Sequence, residues 1–289
     1  MIKKLPWWFK IVAKLILSRL PINYSIWQRV GLFRHGRMDQ SDYMIKTFDQ
    51  HVSASGLKDN LNDKTILELG PGDSVATAIL VACYGGRACL VDTGRYAQEN
   101  MAVYRSLVRM LKEQGIAAPD IENCQSVNDI MMVCDAEYLT GGLNSLAKID
   151  SASIDMIFSH AVLEHVRRRE FLDTMKNCRR VLKSDGVCSH RVDLKDHLGG
   201  GLNNLRFREN VWESGFFSSS GFYTNRIQYH VRLNYFREAG FDLIVTKEDR
   251  WEKLPIRRDQ LNELFQSCSD DELGVSGFNV LLRPIGEGL

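Results

Sequence analysis

A glycine turn flanked by acids is the first feature of the sequence that suggests chemistry. The apolar segment TILEL at 65–69 runs directly into Gly-Pro-Gly-Asp-Ser at 70–74. Glycines between a strand and a helix let a ligand approach the backbone, and the helix N-terminus offers free N–H groups. A dinucleotide-binding turn would need glycine at position 75, where the chain has Val75. The turn therefore favours an adenosine-type ligand and disfavours NAD.

Two acidic residues stand where such a ligand needs them. Glu68 lies just before the turn, and Asp92 ends the next apolar run, ACLVD. An acid at the end of the second strand accepts hydrogen bonds from ribose hydroxyls. The alternatives are that Asp92 caps a helix and that the glycine turn is only a tight connection.

Histidines are concentrated in one part of the chain and suggest proton transfer. Four of the seven lie between positions 160 and 197, namely His160, His165, His190 and His197. Imidazole has a pKa close to neutrality, which suits the deprotonation of a hydroxyl during group transfer. We predict His165 or His190 as the base, with Asp193 orienting it. The alternative for His165 is a structural histidine at the start of a helix.

No metal site is predicted from the ligand pattern. Glu164, Asp193, Asp196 and His197 have suitable ligand types but no recognised spacing. The seven cysteines form no CxxC pair, and their odd number in a chain of this length indicates reduced thiols in a cytoplasmic protein.

A sheet must position these residues. Short apolar runs alternate with helical patterns from residue 65 onward, which is typical of βαβ units. We predict a doubly wound, mostly parallel, seven-stranded α/β sheet of the Rossmann-like type, with its ligands at the carboxyl edge. The predicted strands are TILEL at 65, ACLVD at 88, IMMVCD at 130 (or a strand at 136–139 instead), DMIFS at 155, GVCSHRV at 186, FDLIVT at 241 and GFNVLLR at 277.

The segment 193–228 interrupts this alternation after the fifth strand. It is rich in Gly, Ser, Asn and aromatic residues and too long for a plain connection, so it predicts a lid with a hinge at 199–201. Polar donors beside aromatic rings suit a sugar or another polyhydroxyl acceptor, and arginines suit a carboxylate or phosphate. The predicted acceptor-binding residues are His197, Asn204, Arg206, Tyr223 and Arg226.

The charge balance and the N-terminus restrict the partners. Lys and Arg number 37 against 36 Asp and Glu, a net charge of +1, which argues against a nucleic-acid partner held by a basic face. Residues 1–60 are predicted to form a helical cap on a domain at 61–289. The basic amphipathic helix at 3–19 is too short and too charged to span a bilayer, and packs either on this domain or on anionic lipid. We therefore expect a cytoplasmic protein, either free or peripheral to the inner face of a membrane.

Four motifs together resemble the class I S-adenosylmethionine-dependent methyltransferases. They are ELGPGDS with Asp92, CDAEYL at 134–139, DMIFSHAVLEHV at 155–166 and CRRVLKSDGV at 178–187, joined by FREAGF at 236–241. They occur in the order and at the spacing of that family, over roughly 65–192. One departure is Ser74, which stands where the family's turn has its usual third glycine.

The resemblance implies a cofactor, S-adenosylmethionine, and residues that contact it. Glu68, Gly70 and Gly72 would line the methionine part, and Asp92 would bind the ribose. The remaining implied contacts are Asp135 and Ala136 at the adenine edge, and Ser159 and His160 on the cofactor's substrate side.

The segment at 161–166 resembles the LEHV segment of several small-molecule O-methyltransferases. In some of those relatives an acid three positions before the glutamate completes a metal site, but this chain has Ala161 there. The sequence therefore predicts methyl transfer to a small polar or glycan-type acceptor, on oxygen. The alternatives are a non-catalytic protein that retains the fold, and a membrane-surface methyltransferase of a lipid-linked acceptor.

Overall fold

The computed structural model of the protein describes Trp8, Phe9, Ile11, Val12 and residues 40–286. Most of the predicted N-terminal cap, including nearly all of the basic helix at 3–19, lies outside the described residues. Ile11 is 6% exposed and belongs to an apolar cluster with Leu198, Trp212, Phe222 and Tyr223 of the predicted lid. None of the helices in the described ranges combines the length and apolar character that crossing a bilayer requires.

Seven strands form one sheet in the order β3-β2-β1-β4-β5-β7-β6. Strands β1 to β5 pair in parallel, whereas β7 runs antiparallel to both of its neighbours. The strands are β1 (Thr65–Leu69), β2 (Arg87–Val91), β3 (Glu137–Leu139), β4 (Ile154–His160), β5 (Leu182–Asp193), β6 (Phe241–Arg250) and β7 (Val275–Pro284). The predicted doubly wound, mostly parallel α/β fold is confirmed.

Helices cover both faces of the sheet. The α-helices are α1 (Ser41–Ser55), α2 (Ala76–Ala82), α3 (Met101–Glu113), α4 (Val127–Val133), α5 (Leu143–Leu146), α6 (Phe171–Val181), α7 (Glu209–Trp212), α8 (Gly215–Ser218), α9 (Tyr229–Glu238), α10 (Glu263–Gln266) and α11 (Asp270–Gly274). Short 3-10 helices span Arg168–Glu170, Asn203–Arg206 and Arg258–Gln260. One core lies under α1 to α4 and a second under α6 and α9, so the central strands β1 and β4 are almost wholly buried on both faces.

The third strand is where the sequence prediction at 130 is wrong. IMMVCD lies largely in α4, which begins with a capping box: Asp129 N–H donates to Ser126 Oγ, and Ser126 N–H donates to the Asp129 carboxylate. Val127, Ile130 and Met131 are buried at helical spacing. The strand is Glu137–Leu139, within the alternative position at 136–139.

The predicted lid segment forms short helices that are tied together internally. Trp212 is fully buried, and its Nε1–H donates to the Thr224 carbonyl at 2.7 Å. The Asp196 carboxylate accepts backbone N–H bonds from Leu198, Gly200 and Gly201, so the glycine run is held around this side chain. The boundaries predicted at 60 and 193–228 stay predictions.

Candidate cofactor and acceptor site

The glycine turn after β1 has a backbone that requires glycine. Gly70 has φ +68° and Gly72 has φ +61°, in the left-handed region. A Cβ on Gly70 would lie 2.5 Å from Cγ1 of Val162, in the loop that follows β4. The backbone at Gly70 therefore packs directly against the Val162 side chain, which a side chain at position 70 would prevent.

Asp92 stands at the carboxyl end of β2 and is bonded to this turn. Its Oδ2 accepts the Gly72 N–H at 2.9 Å and its Oδ1 accepts the Thr93 N–H at 2.7 Å. The residue is partly exposed, and a carboxylate is an acceptor of the kind that ribose hydroxyls need. This position fits the predicted contact with a ribose.

Glu68 is buried beneath the turn with one oxygen unsatisfied. The residue is 4% exposed, and its Oε2 has no hydrogen-bond partner among the described residues. Desolvation raises the pKa of Glu68 to about 8; Asp92 adds to this rise, and a hydrogen bond with Thr77 opposes it. A cationic ligand group beside this carboxylate would satisfy the orphaned oxygen, as the ammonium and sulfonium of S-adenosylmethionine would.

Asp135 and Ala136 do not lie at this site, and the adenine assignment is wrong. Both precede β3, at the amino end of the strand, because the strand begins at Glu137. Asp135 is exposed, has φ +46° and forms an ion pair with Arg87 at 2.9 Å, at the start of β2. The carboxyl end of β3 leads instead into Gly142, whose N–H donates to the Asp92 carbonyl at 2.7 Å.

Ser159 and His160 end β4 on opposite faces, although both were expected near the cofactor. Ser159 is fully buried, and its Oγ lies 2.8 Å from Nδ1 of His190. His160 is partly exposed. Because Glu68 pairs with Phe158, extending the parallel register by two residues places His160 level with Gly70. Of the two side chains, only that of His160 is therefore partly exposed at the level of the turn.

His190 is enclosed, which argues against its predicted role as the base. It is 1% exposed, its ring stacks on Phe236 at 6.4 Å, and burial lowers its pKa to about 3. The imidazole is therefore neutral and has no face open to an acceptor. Among the described residues Asp193 makes no hydrogen bond to it, since His190 Nδ1 contacts Ser159 Oγ and its Nε2 has no partner.

His165 and His197 meet beside Glu164. The two rings are 4.7 Å apart and edge to face, and His165 Nδ1–H donates to the Tyr223 carbonyl at 2.9 Å. Glu164, His165 and His197 each offer one ligand atom, all within 4.8 Å of one another, which is a spacing that can hold a metal ion. The set differs from the one weighed in the sequence, because Asp196 is occupied by backbone N–H donors.

Three predicted acceptor-binding residues are structural instead. Asn204, Tyr223 and Arg226 are at most 4% exposed. Asn204 Nδ2–H donates to Thr224 Oγ1, the Tyr223 hydroxyl to Glu213, and the Arg226 guanidinium to Glu209 and the Phe207 carbonyl. The cavity that Asn204 and Arg226 share with Glu164 measures about 20 Å³, which suits a water molecule and no acceptor.

Arg206 and His197 remain partly exposed. Arg206 donates to Asn203 and to Gln260. The polar composition of the segment therefore identified residues of the right type, but it did not reveal which of them point inward.

The sequence analysis did not identify His51 as part of the site. This residue of α1 is 2% exposed; its Nδ1 lies 2.8 Å from Ser189 Oγ and its Nε2 lies 3.2 Å from His160 Nδ1. A signal was available in the sequence, because the apolar residues Met44, Phe48 and Val52 recur at helical spacing. This spacing predicts the inner face of α1, and His51 lies on the same face.

Comparison with known proteins identifies the central segment. A family model described as a methyltransferase domain matches residues 67–189. No curated protein matches the sequence significantly. Among solved structures, an S-adenosylmethionine-dependent methyltransferase from Methanosarcina mazei is 14% identical, with 78% of this chain and 93% of that chain covered and a TM-score of 0.47.

Two further solved structures are similar at the same low level. An arsenic(III) S-adenosylmethionine methyltransferase from Chlamydomonas reinhardtii is 14% identical, covering 80% of this chain and 66% of that one, with a TM-score of 0.43. Phosphoethanolamine N-methyltransferase 2 of Haemonchus contortus is 15% identical, covering 86% and 54%, with a TM-score of 0.44. These similarities assign no acceptor. The match over residues 67–189 indicates a methyltransferase with S-adenosylmethionine as its cofactor, and the sheet that carries these residues is a seven-stranded α/β sheet of the Rossmann-like type.

Proposed function

We propose that the protein transfers the methyl group of S-adenosylmethionine to a hydroxyl of a small polar or glycan-type acceptor. The observation that carries this proposal is the position of His160, a partly exposed imidazole at the carboxyl end of β4, level with Gly70. A base beside the methyl donor is what a hydroxyl acceptor requires, because its proton must leave as the new bond forms.

The cofactor would be held by the residues of the β1 turn. Glu68 would face its positive charge, Gly70 and Gly72 would allow its close approach, and Asp92 would accept from the ribose hydroxyls. When bound, S-adenosylmethionine supplies a methyl group on a sulfonium, and cleavage of the sulfur–carbon bond leaves its electron pair on a neutral thioether.

His160 is proposed to take the acceptor's proton at Nε2. Burial, and secondarily the charge of Arg191, lowers the pKa of His160 to about 4. The ring is therefore unprotonated at neutral pH, with a lone pair available. A weak base suffices, because the acceptor oxygen becomes strongly acidic as it gains the methyl group.

His165 is the second candidate for the base. Its Nδ1–H donates to the Tyr223 carbonyl, and this tautomer puts the lone pair of the ring on Nε2. Its position next to His197 and Glu164 would place the acceptor over the predicted lid segment rather than beside α1.

Separate substitutions distinguish these candidates. The wild type, His160→Asn and His165→Asn would each be incubated with S-adenosylmethionine and a panel of phenols, catechols and monosaccharides, with methylated product detected by mass spectrometry. We expect His160→Asn to lower kcat by roughly 100-fold while S-adenosylmethionine still binds in calorimetry. Loss of activity in His165→Asn alone would identify His165 as the base. A product methylated on nitrogen or carbon would overturn O-methylation.

A further inference from the structure

We infer that His51 is a positioning residue for His160: a hydrogen-bonded chain from Ser189 through His51 holds His160 in the tautomer that leaves Nε2 unprotonated. This inference rests on the proposed function, because the role of His160 as a base is what selects one of the two possible tautomers. The tautomer itself is a property of the cofactor-free protein and is measured without an acceptor.

The chain joins three elements that are distant in sequence. His51 of α1 lies 138 residues from Ser189 of β5 and 109 residues from His160 of β4. Its two ring nitrogens are both engaged, Nδ1 with Ser189 Oγ at 2.8 Å and Nε2 with His160 Nδ1 at 3.2 Å. The rings of His51 and His160 stand nearly perpendicular, at 88°. His51 therefore has no nitrogen left for another partner and is fixed between two strands.

A chain of this kind has two proton arrangements. In the first, His160 Nδ1–H donates to His51 Nε2, and His51 Nδ1–H donates to Ser189 Oγ. In the second, both hydrogens are reversed, so that Ser189 donates, His51 Nε2–H donates to His160 Nδ1, and His160 carries its hydrogen on Nε2.

Only the first arrangement is compatible with a base at His160. It leaves the lone pair on Nε2, on the side of the ring away from His51. After His160 has taken a proton, its Nδ1–H still has an acceptor in His51 Nε2, which stabilises the imidazolium. In the second arrangement Nε2 already holds a hydrogen and the residue can only donate.

The surroundings of His51 and His160 keep both imidazole rings neutral. Each ring therefore carries one hydrogen, and the two arrangements differ only in which nitrogen holds it. Arg191 of β5 faces His160, His190 acts on His51, and the Tyr43 ring of α1 lies edge-on to His160 at 6.3 Å. Burial is the main cause that lowers the pKa of both imidazoles, and the charge of Arg191 adds to it at His160. No acidic group opposes these effects among the interactions that the described residues show for His51 and His160.

The test is nitrogen-15 NMR of full-length protein labelled at histidine, in which two-bond nitrogen–proton correlations distinguish the two tautomers. We expect His160 to be in the Nδ1–H form in the wild type. In His51→Leu the signals should move to the Nε2–H form that free imidazole prefers, and in His51→Gln, whose amide oxygen can replace Nε2 as an acceptor, the Nδ1–H form should persist.

Ser189→Ala serves as the milder variant if His51→Leu fails to fold, since it removes only one hydroxyl and should yield a mixture of the two forms. Retained binding of S-adenosylhomocysteine shows that each variant is native. A wild-type His160 in the Nε2–H form, or one unchanged in His51→Leu, would overturn the inference. A correct tautomer together with full activity of His160→Asn would instead refute the proposed base and leave the chain standing.

Discussion

The Gly72 N–H donates to Oδ2 of Asp92 at 2.9 Å, so the turn after β1 and the end of β2 are bonded to each other. This bond fixes the carboxylate beside the glycine backbone, at the carboxyl edge of two adjacent parallel strands. A cofactor that contacts both elements therefore meets a site that is already assembled. We expect the affinity to depend on Asp92 in two ways, as the predicted acceptor for the ribose hydroxyls and as the group that holds the shape of the turn.

Replacement of Asp92 by alanine should weaken S-adenosylmethionine binding by roughly 10–100-fold, or about 1.4–2.7 kcal/mol, because hydrogen bonds to a charged acceptor are lost. Calorimetric titration measures this directly. Asp185→Ala, which removes an exposed acid near the amino end of β5, is the matched control and should bind normally. Unchanged affinity in Asp92→Ala would refute the ribose assignment.

Glu68 should make cofactor binding release a proton. With a pKa of about 8, the carboxyl is mostly protonated at neutral pH, whereas a bound cation favours the carboxylate. Titrations at pH 7 in buffers of different ionisation enthalpy should therefore show release of ~1 proton, and affinity should increase as the pH rises toward 8. Glu68→Gln should abolish the release. Equal proton release by the wild type and this variant would show that the proton comes from another group.

Gly70→Ala should destabilise the protein for two separable reasons. The left-handed φ costs about 1–2 kcal/mol, and the clash with Val162 adds about 1–3 kcal/mol. Gly115 has φ +77° with nothing within 4 Å of its Cβ position, so Gly115→Ala isolates the first cost in urea unfolding. The double variant Gly70→Ala with Val162→Ala should recover part of the stability that the clash removes. If Gly70→Ala is no worse than Gly115→Ala, the close approach of Val162 has no energetic weight.

The sequence alone predicted those parts of the candidate site whose structure depends on neighbouring residues. The β1 turn needs left-handed glycines directly after a buried strand, and both the glycines and the strand are visible within ten residues of one another. Asp92 was predicted at the end of the second strand for the same reason, and it lies directly after β2. The position of Asp135 was predicted wrongly, because β3 is only three residues long, and a capped helix with buried apolar residues precedes it. An apolar run of that length does not distinguish a strand from a helix.

Long-range contacts explain the remaining differences. Whether Arg226 faces an acceptor or Glu209 depends on how the segment after β5 folds on itself, and the residue types do not encode that direction. The contact between His51 and His160 spans 109 residues, so no local periodicity predicts it. The buried face of α1 is predictable, but the strand that it meets is not.

Burial of Glu164 should make the cofactor-free protein less stable as the pH rises from about 6.5 to 8. Desolvation raises the pKa of Glu164 to about 8 in the folded state, above its ordinary value of 4.5, so the unfolded chain gives up this proton first and rising pH favours unfolding. Glu68 acts in the same direction. His51, His160 and His190 have lowered pKa values and act in the opposite direction, because they destabilise the fold as the pH falls through 6.5.

The comparison of the wild type with a variant that lacks the Glu164 carboxyl therefore isolates its contribution, because every other group titrates alike in both proteins. Urea unfolding of chelator-treated protein at pH 6.5 and pH 8 measures the free energy of unfolding. We expect this free energy to fall between the two pH values in the wild type and to fall less in Glu164→Gln. In thermal unfolding at pH 8, the variant should gain ~2–4 °C in Tm for each kcal/mol recovered. Glu137→Gln, on the exposed edge of β3, is the control and should leave the decline unchanged. A decline equally steep in Glu164→Gln would mean that this carboxyl is already ionised in the folded protein, with Arg232, the buried cation that interacts with it, as its counter-charge.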